Sequence, residues 1–426
     1  MFGFGLENAQ SVIGVVLVLL VCWAASEAKN RFPWRLAVGA ILVQLVLVLV
    51  LFGLPAARGV IQVLNRGVDG LAAATQQGVQ FVFGYLGGGA QPYQVANPGA
   101  LFVFAFDVLP LIIVISALSA LLWHWRVLKW VIRGFGLVFE KTLGMGGASA
   151  LLAAVNIFLG NVECALIIKG YLEKLTRSEL FLMMVLGLAT VAGSTMIAYV
   201  TILRATIPDA AAHVITASIL SAPAGILLAR IMVPEEPGQG GEAAEYDSLL
   251  KYDSSIDAIS VGTTDGLQIA LNIGATLIVF VSLVAVANGV LGVLPHVGGE
   301  AISVQRVLGV IFSPLAWVIG IPWKEAAVAG NLLGVKLVLT EIVAFIDLAK
   351  TPELSERSRI IMTYAICGFA NIGSVGIVVS GFGVLMPQRR TEVIGLVWKA
   401  LLAGFLATCM TGALVGALPR GLFGLS

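Results

Sequence analysis

Two carboxylates sit in otherwise apolar sequence. Glu163 lies in FLGNVECALIIKG (158–170) beside the amide Asn161, and Glu341 lies in LVLTEIVAFI (337–346). A carboxylate accepts from two hydroxyls at once, and an amide offers both a donor and an acceptor. This is chemistry for holding a polar solute. At mid-bilayer such an acid costs at least ~2.5–3.5 kcal/mol on insertion scales, so it marks a site rather than a surface. The surroundings repeat. Glu163 precedes Ser194 by 31 positions and Glu341 precedes Ser374 by 33. Arg177-Ser178 and Arg357-Ser358 each begin a segment whose serine lies 16 residues before Ser194 or Ser374.

The elements that must carry these residues are membrane helices. Of 426 residues, 59% are hydrophobic and 12% charged, about half the charged share of a soluble domain. Mean hydropathy is +0.99. A net charge of +1 leaves no case for nucleic acid as a partner. Cys22, Cys164, Cys367 and Cys409 are far apart and form no CxxC, so neither a disulfide framework nor a zinc site is indicated. An intramembrane enzyme would need a Ser–His set, HExxH or adjacent acids; GGASA (146–150) has no histidine near it. A channel would need a ring of like residues or a filter-like string, and none appears.

Spans are expected at about 11–26, 35–54, 101–124, 178–204, 211–233, 267–293, 360–387 and 391–418. The first reads as a retained helix, because no basic residue precedes it and Lys29, Arg31 and Arg35 follow. Basic residues recur at every second junction, which places both termini outside the cytoplasm. Residues 234–257 read as a cytoplasmic linker. Segments 56–85, 125–141 and 303–319 mix charges into helical apolar patterns, as interfacial helices do. Asp107 reads as a structural hydrogen bond near Pro110, with a proton relay as the alternative. Lys336 either neutralises a helix C-terminus or snorkels. His124, His213 and His296 fall near span ends and are expected at the interface.

Segments 146–174 and 322–350 are interrupted near their middles, at Gly160–Glu163 and Leu339–Glu341. If each folds back, an arm of about 14 residues reaches only ~21 Å, too short to cross ~30 Å of hydrocarbon. They are therefore expected to be re-entrant hairpins. Their bases lie on opposite sides, the first inside and the second outside. The expected fold is an all-α polytopic membrane protein: eight transmembrane helices, two re-entrant hairpins and interfacial helices in an inverted repeat. Spans 178–204 and 360–387 are each expected to be broken by a small polar cluster, and such paired discontinuous helices point to the midplane site of a secondary transporter. The divisions are 1–124 (N-terminal helices and part of the scaffold), 125–233 (first repeat), 234–300 (linker and scaffold helix) and 301–426 (second repeat).

At these residues the chain resembles the concentrative nucleoside transporter family over nearly its whole length. Gly160-Asn161-Val162-Glu163 matches the family's Gly-Gln-Thr-Glu tip. The stretch Gly334 to Phe345 matches G-x-K-x3-N-E-F-V-A-[YFM], and Ala365 to Ser374 matches A-L-C-G-F-A-N-[FIL]-[GS]-S. The resemblance implies nucleoside import by an elevator-type alternating-access mechanism, across the cytoplasmic membrane, by a homotrimer. It implies that Asn161, Val162 and Glu163 read the base. Glu341, Asn371 and Ser374 would meet the ribose hydroxyls, with Phe369 packing on the solute. A sodium ion would take Asn156 (side chain), Leu159 (carbonyl), Ser194 (hydroxyl and carbonyl) and Thr195 (carbonyl). A proton on Glu163 or Glu341 is the alternative coupling ion. Asn161, Val162 and Thr340 depart from the family's Gln, Thr and Asn, which leaves purine against pyrimidine preference open.

Overall fold

The computed structural model describes residues 5–53, 55–95, 101, 103–159, 164, 172, 174–236, 251–296, 299 and 301–423. The chain opens with α1 (Leu6–Ala24), α2 (Trp34–Val48, continued by a π turn to Gly53) and the long α3 (Pro55–Phe83). After one helical turn at Phe104–Asp107 come α4 (Leu109–His124), α5 (Val127–Leu143) and α6 (Gly147–Asn156). Then follow α7 (Arg177–Ala189), α8 (Gly193–Leu203), α9 (Ala210–Met232) and α10 (Ser255–Leu291). The second half contains α11 (Val304–Val318), α12 (Trp323–Val338), α13 (Glu341–Lys350), α14 (Glu356–Ile366), α15 (Ile372–Leu385) and α16 (Arg390–Gly416).

Among the described residues, seven helices are long and apolar enough to cross a bilayer; α7 and α8 together count as one of them. The expected span 360–387 is broken at its small polar cluster as expected, with α14 and α15 parted at Cys367–Asn371. One difference lies in α10. It starts at Ser255, twelve residues before the expected span, because Ser254 caps it by accepting from Asp257 N–H at 3.1 Å. The polar residues before the apolar run thus belong to the helix. Helices α11 and α12 form a pair bent by 116°.

Burial sorts these helices into two groups. α7, α9 and α16 are buried around almost their whole circumference and form the centre of the core. α10 buries a single stripe, Ala258, Gly262, Gly266 and Ala270, against α4. A Cβ on Gly262 would stand 2.8 Å from Ala117 Cα, and one on Gly266 2.7 Å from Ile113 Cα. Small residues at this spacing let two backbones touch where lipid offers no hydrophobic drive. α5 buries Ile132, Gly136, Phe139 and Leu143 on one face and exposes Trp130, the pattern expected of an interfacial helix.

α1 is tied at both ends. Near its start, Glu7 pairs with Arg357 at 3.6 Å, and Asn8 Nδ2 donates to Leu418 O at 2.8 Å. Just past its end, Glu27 pairs with Arg177 and Lys399, each at 3.0 Å. The helix of 19 residues is about 28 Å long. The two arginines that lie 17 residues before Ser194 and Ser374 therefore sit at opposite ends of one spanning rod. At the Arg357 end, Glu325 at the start of α12 accepts from Ser355 N–H (3.2 Å) and Oγ (3.1 Å). Had α13 run straight on from α12, Lys350 would lie ~37 Å from Glu325, and five linking residues reach at most ~18 Å. So α13 folds back along α12. At the Arg177 end, Ser149 on α6 donates to Glu179 on α7 at 3.0 Å. Residues 160–163, 165–171 and 173 between them, the expected first tip included, lie outside the described residues.

Candidate functional site

Two chain breaks meet in the core. The first, Thr190–Ala192, separates α7 from α8; the second, Cys367–Asn371, separates α14 from α15. Phe369 N–H donates to Thr190 O at 3.3 Å across them. Gly368 makes this approach feasible, since a Cβ there would come within 2.8 Å of Ala189 O. Polar caps start two of the helices that converge here, whereas α8 begins at Ala192 with no side-chain cap. Asn371 Oδ1 accepts from Ser374 N–H at 2.8 Å to begin α15, and Thr340 Oγ1 accepts from Val343 N–H at 3.4 Å to begin α13.

Glu341 is the first residue of α13 and is buried. Its Oε2 accepts from Asn371 Nδ2 at 2.9 Å and its Oε1 from Tyr199 OH at 2.8 Å. Glu341, Asn371 and Ser374, expected together, are thus brought together, and half-buried Phe369 lies two residues from Asn371. Each carboxylate oxygen keeps a lone pair after these bonds, so the acid can still accept from two neighbouring hydroxyls. The helix N-terminus beneath it favours negative charge at this point. Asn161, Val162 and Glu163 lie outside the described residues.

The second group of expected residues gathers at the first break. Phe158 O accepts from Gly193 N–H at 2.9 Å, which brings Leu159 beside Ser194. Those two line one cavity of about 90 Å³. Thr190 Oγ1 lies 2.8 Å from Asn156 O. Thr195 Oγ1 donates to Ala192 O at 2.9 Å, so its hydroxyl proton is spent locally and its carbonyl is the group in question. Asn156 is 1% exposed, yet among the described residues its Oδ1 has no hydrogen-bond partner. An orphaned buried acceptor among neutral oxygens fits a monovalent cation, which neutral ligands hold loosely enough to release. Among the described residues no group of three His, Cys, Asp or Glu side chains forms a divalent-metal site.

Several residues do more than the sequence reading assigned. Tyr199 was not singled out, although a tyrosine in an apolar span must find a partner for its hydroxyl. It bonds Glu341 and stacks on Phe345 with centroids 4.8 Å apart. Cys164 accepts from Asn156 Nδ2 at 2.9 Å, while the same nitrogen donates to Leu152 O at 3.0 Å. Both amide protons are therefore used, which aims the free Oδ1. Lys336 is fully buried, which excludes snorkelling. Its Nζ donates to Ala365 O at 2.8 Å at the end of α14, and also to Thr408 Oγ1. Asp107 Oδ2 accepts from Val103 N–H at 2.6 Å, a structural cap. His213 departs from the interfacial expectation. It is buried, stacked on Phe52 at 5.0 Å, with Nδ1 3.1 Å from Tyr364 OH.

Comparison with known proteins covers the same ground. Residues 213–416 match the family model "Na+ dependent nucleoside transporter C-terminus", residues 13–86 its N-terminal counterpart, and residues 105–206 a model described as "Nucleoside recognition". The nucleoside permease NupC of Helicobacter pylori is 35% identical over 95% of this chain and 96% of its own. The sodium/nucleoside cotransporter 1 of Rattus norvegicus is 30% identical over 97% of this chain and 65% of its own. Among solved structures, a variant of CNTnw in an outward-facing state superposes with a TM-score of 0.89 at 35% identity, covering 99% of both chains. CNTnw in an inward-facing substrate-bound state gives 0.86 at 36% identity, covering 96% of this chain and 98% of its own. With permease-like relatives aligned from end to end and the two halves joined at the Glu341 and Asn156 sites, the chain belongs to the Na+ dependent, concentrative nucleoside transporter family.

Proposed function

We propose that this protein imports nucleosides across the cytoplasmic membrane, coupled to sodium, by alternating access. The observation that carries the reading is the pair of unfinished sites at adjoining breaks. Glu341 keeps acceptor capacity for vicinal ribose hydroxyls, and Asn156 presents an unpartnered oxygen to a cation. A solute lacking one hydroxyl leaves Glu341 underused, which is a source of specificity. Asn161, Val162 and Glu163 read the base, and Phe369 packs on it or on the sugar.

The architecture behind this reading is an inverted repeat of two re-entrant hairpins, 146–174 and 322–350, with bases at opposite faces. The ties at Glu7 and Glu27 support it, since each repeat's arginine reaches a different end of α1. Both termini lie outside, and the working form is a homotrimer. α4 and α10 form the scaffold. α1, bound to α14 and α16 by its polar ends, moves with the hairpins.

Uridine uptake into proteoliposomes tests the proposal. Accumulation is expected under an inward sodium gradient and not under a potassium gradient of equal size. Uptake driven by a proton gradient alone would replace sodium by a proton on Glu163 or Glu341. No uptake under either gradient would defeat the reading.

A further inference from the structure

One carboxylate inside the membrane helices has no role in the mechanism above. Asp265 lies on α10, within the close-packed Gly262-Thr263-Thr264-Asp265-Gly266 stretch. Two contacts fix its position along the helix pair. Trp125 Nε1, just past the end of α4, donates to Ser255 Oγ at the start of α10 at 3.1 Å. Asp265 is ten residues further on, ~15 Å deeper. Counted along α4 from that same end, Gly266 meets Ile113 and Ser116, eight to eleven residues in. The two counts agree and place Asp265 in the first third of α10, just before its apolar run begins at 267.

Asp265 also has a place to act. It shares the 90 Å³ cavity with Leu159 and Ser194, two of the expected ion ligands, and with Ser116 and Ser119 of α4. Among the described residues no lysine, arginine or histidine forms an ion pair with it. The ion ligands are neutral. A single negative charge at the rim of a small, low-dielectric cavity concentrates cations in it.

We propose that Asp265, with the hydroxyls of Ser116 and Ser119, is a second monovalent-cation station, through which sodium passes to or from the site at Asn156 and Ser194. The station is on the scaffold, whereas the ion site is on the hairpin unit. With the scaffold fixed and the hairpin unit moving, as proposed above, the two share this cavity in one orientation of the cycle, and the charge assists the ion there. This rests on the sodium reading above.

The test is the sodium dependence of initial uridine uptake in proteoliposomes, with choline replacing sodium. Asp265→Asn is expected to raise the half-saturating sodium concentration roughly three- to tenfold, the effect of one nearby charge in a partly polar cavity. The uridine KM at saturating sodium should stay as in the wild type. Asp265→Glu should restore the wild-type sodium constant. If Asp265→Asn fails to insert, Asp265→Ser reads the same constant. An unchanged sodium constant, or a loss of maximal rate alone, overturns the station. Absence of sodium dependence in the wild-type protein would instead defeat the sodium reading itself.

Discussion

At the scale of single residues, Glu341 has two donors within the protein, and these decide how a variant behaves. Glu341→Gln keeps the size but replaces one acceptor oxygen by an amide donor facing Tyr199 OH or Asn371 Nδ2. Charged hydrogen bonds contribute ~1.5–3 kcal/mol each, so kcat/KM for uridine should fall about 10- to 150-fold. Uridine and its 2′- and 3′-deoxy analogues should then be transported at nearly equal efficiency, because the group that told them apart is gone. Tyr199→Phe serves as the comparison. It removes one neutral donor and should cost no more than about tenfold, leaving the preference for the hydroxylated sugar intact. A Glu341→Gln variant that still discriminates the deoxy analogues would place ribose recognition elsewhere. The glutamate was legible in the sequence because a carboxylate in an apolar run must be satisfied. Tyr199 and Cys164 were not, because their partners are 142 and 8 residues away and only the packing of α8 on α13 and of Cys164 on α6 brings them in.

At the scale of elements, the repeat was readable where it uses side chains and unreadable where it depends on packing. Spacing announced Arg177 and Arg357 as counterparts. It did not announce that α1 links them, or that the environments differ. Arg177 is 49% exposed and bonds only side chains, whereas Arg357 is 8% exposed and donates to Gly320 O and to Gly416 O. An exposed pair contributes ~0–1 kcal/mol, while removing one partner of a buried network costs ~3–5 kcal/mol. Arg357→Met should therefore lower the thermal midpoint in detergent markedly, and Arg177→Met hardly at all. Equal shifts would show that the two ties are alike. The Glu27 tie has a pH signature of its own. Hydrogen bonding to Arg177, and then to Lys399, holds its carboxyl below the ordinary value of 4.5. A depressed folded-state pKa contributes stability that is complete above the ordinary value and is lost as pH falls through the folded one. Between pH 7 and 5 the Glu27→Gln variant should thus track the wild type at a small constant offset. The offset should close below about pH 4.5, as checked by thermal melts in buffers of equal ionic strength.

At the scale of the whole molecule, the ties divide the helices by what they hold. Polar clasps bind α1 to α14 and α16, whereas among the described residues no hydrogen bond or ion pair joins α4 to α8, and Val108 and Ile112 pack on Ala198. Apolar surfaces slide without leaving a charge unpaired; buried polar clasps do not. The surface that moves should therefore be the α4–α8 contact, and the α1–α16 contact should travel as one piece. Two engineered crosslinks separate these roles. Cysteines at Ile112 and Ala198, joined by oxidation, should arrest uridine uptake, with recovery on reduction. Cysteines at Glu27 and Lys399 replace a partly exposed ion pair and should leave uptake close to wild type once joined. The four native cysteines are buried, so the added thiols are the ones an oxidant reaches first. Uptake that survives the first crosslink would mean that α8 does not slide past α4. Arrest by the second would mean that α1 stays with the scaffold while α16 moves, and the clasp at Glu27 would then have to open in every cycle.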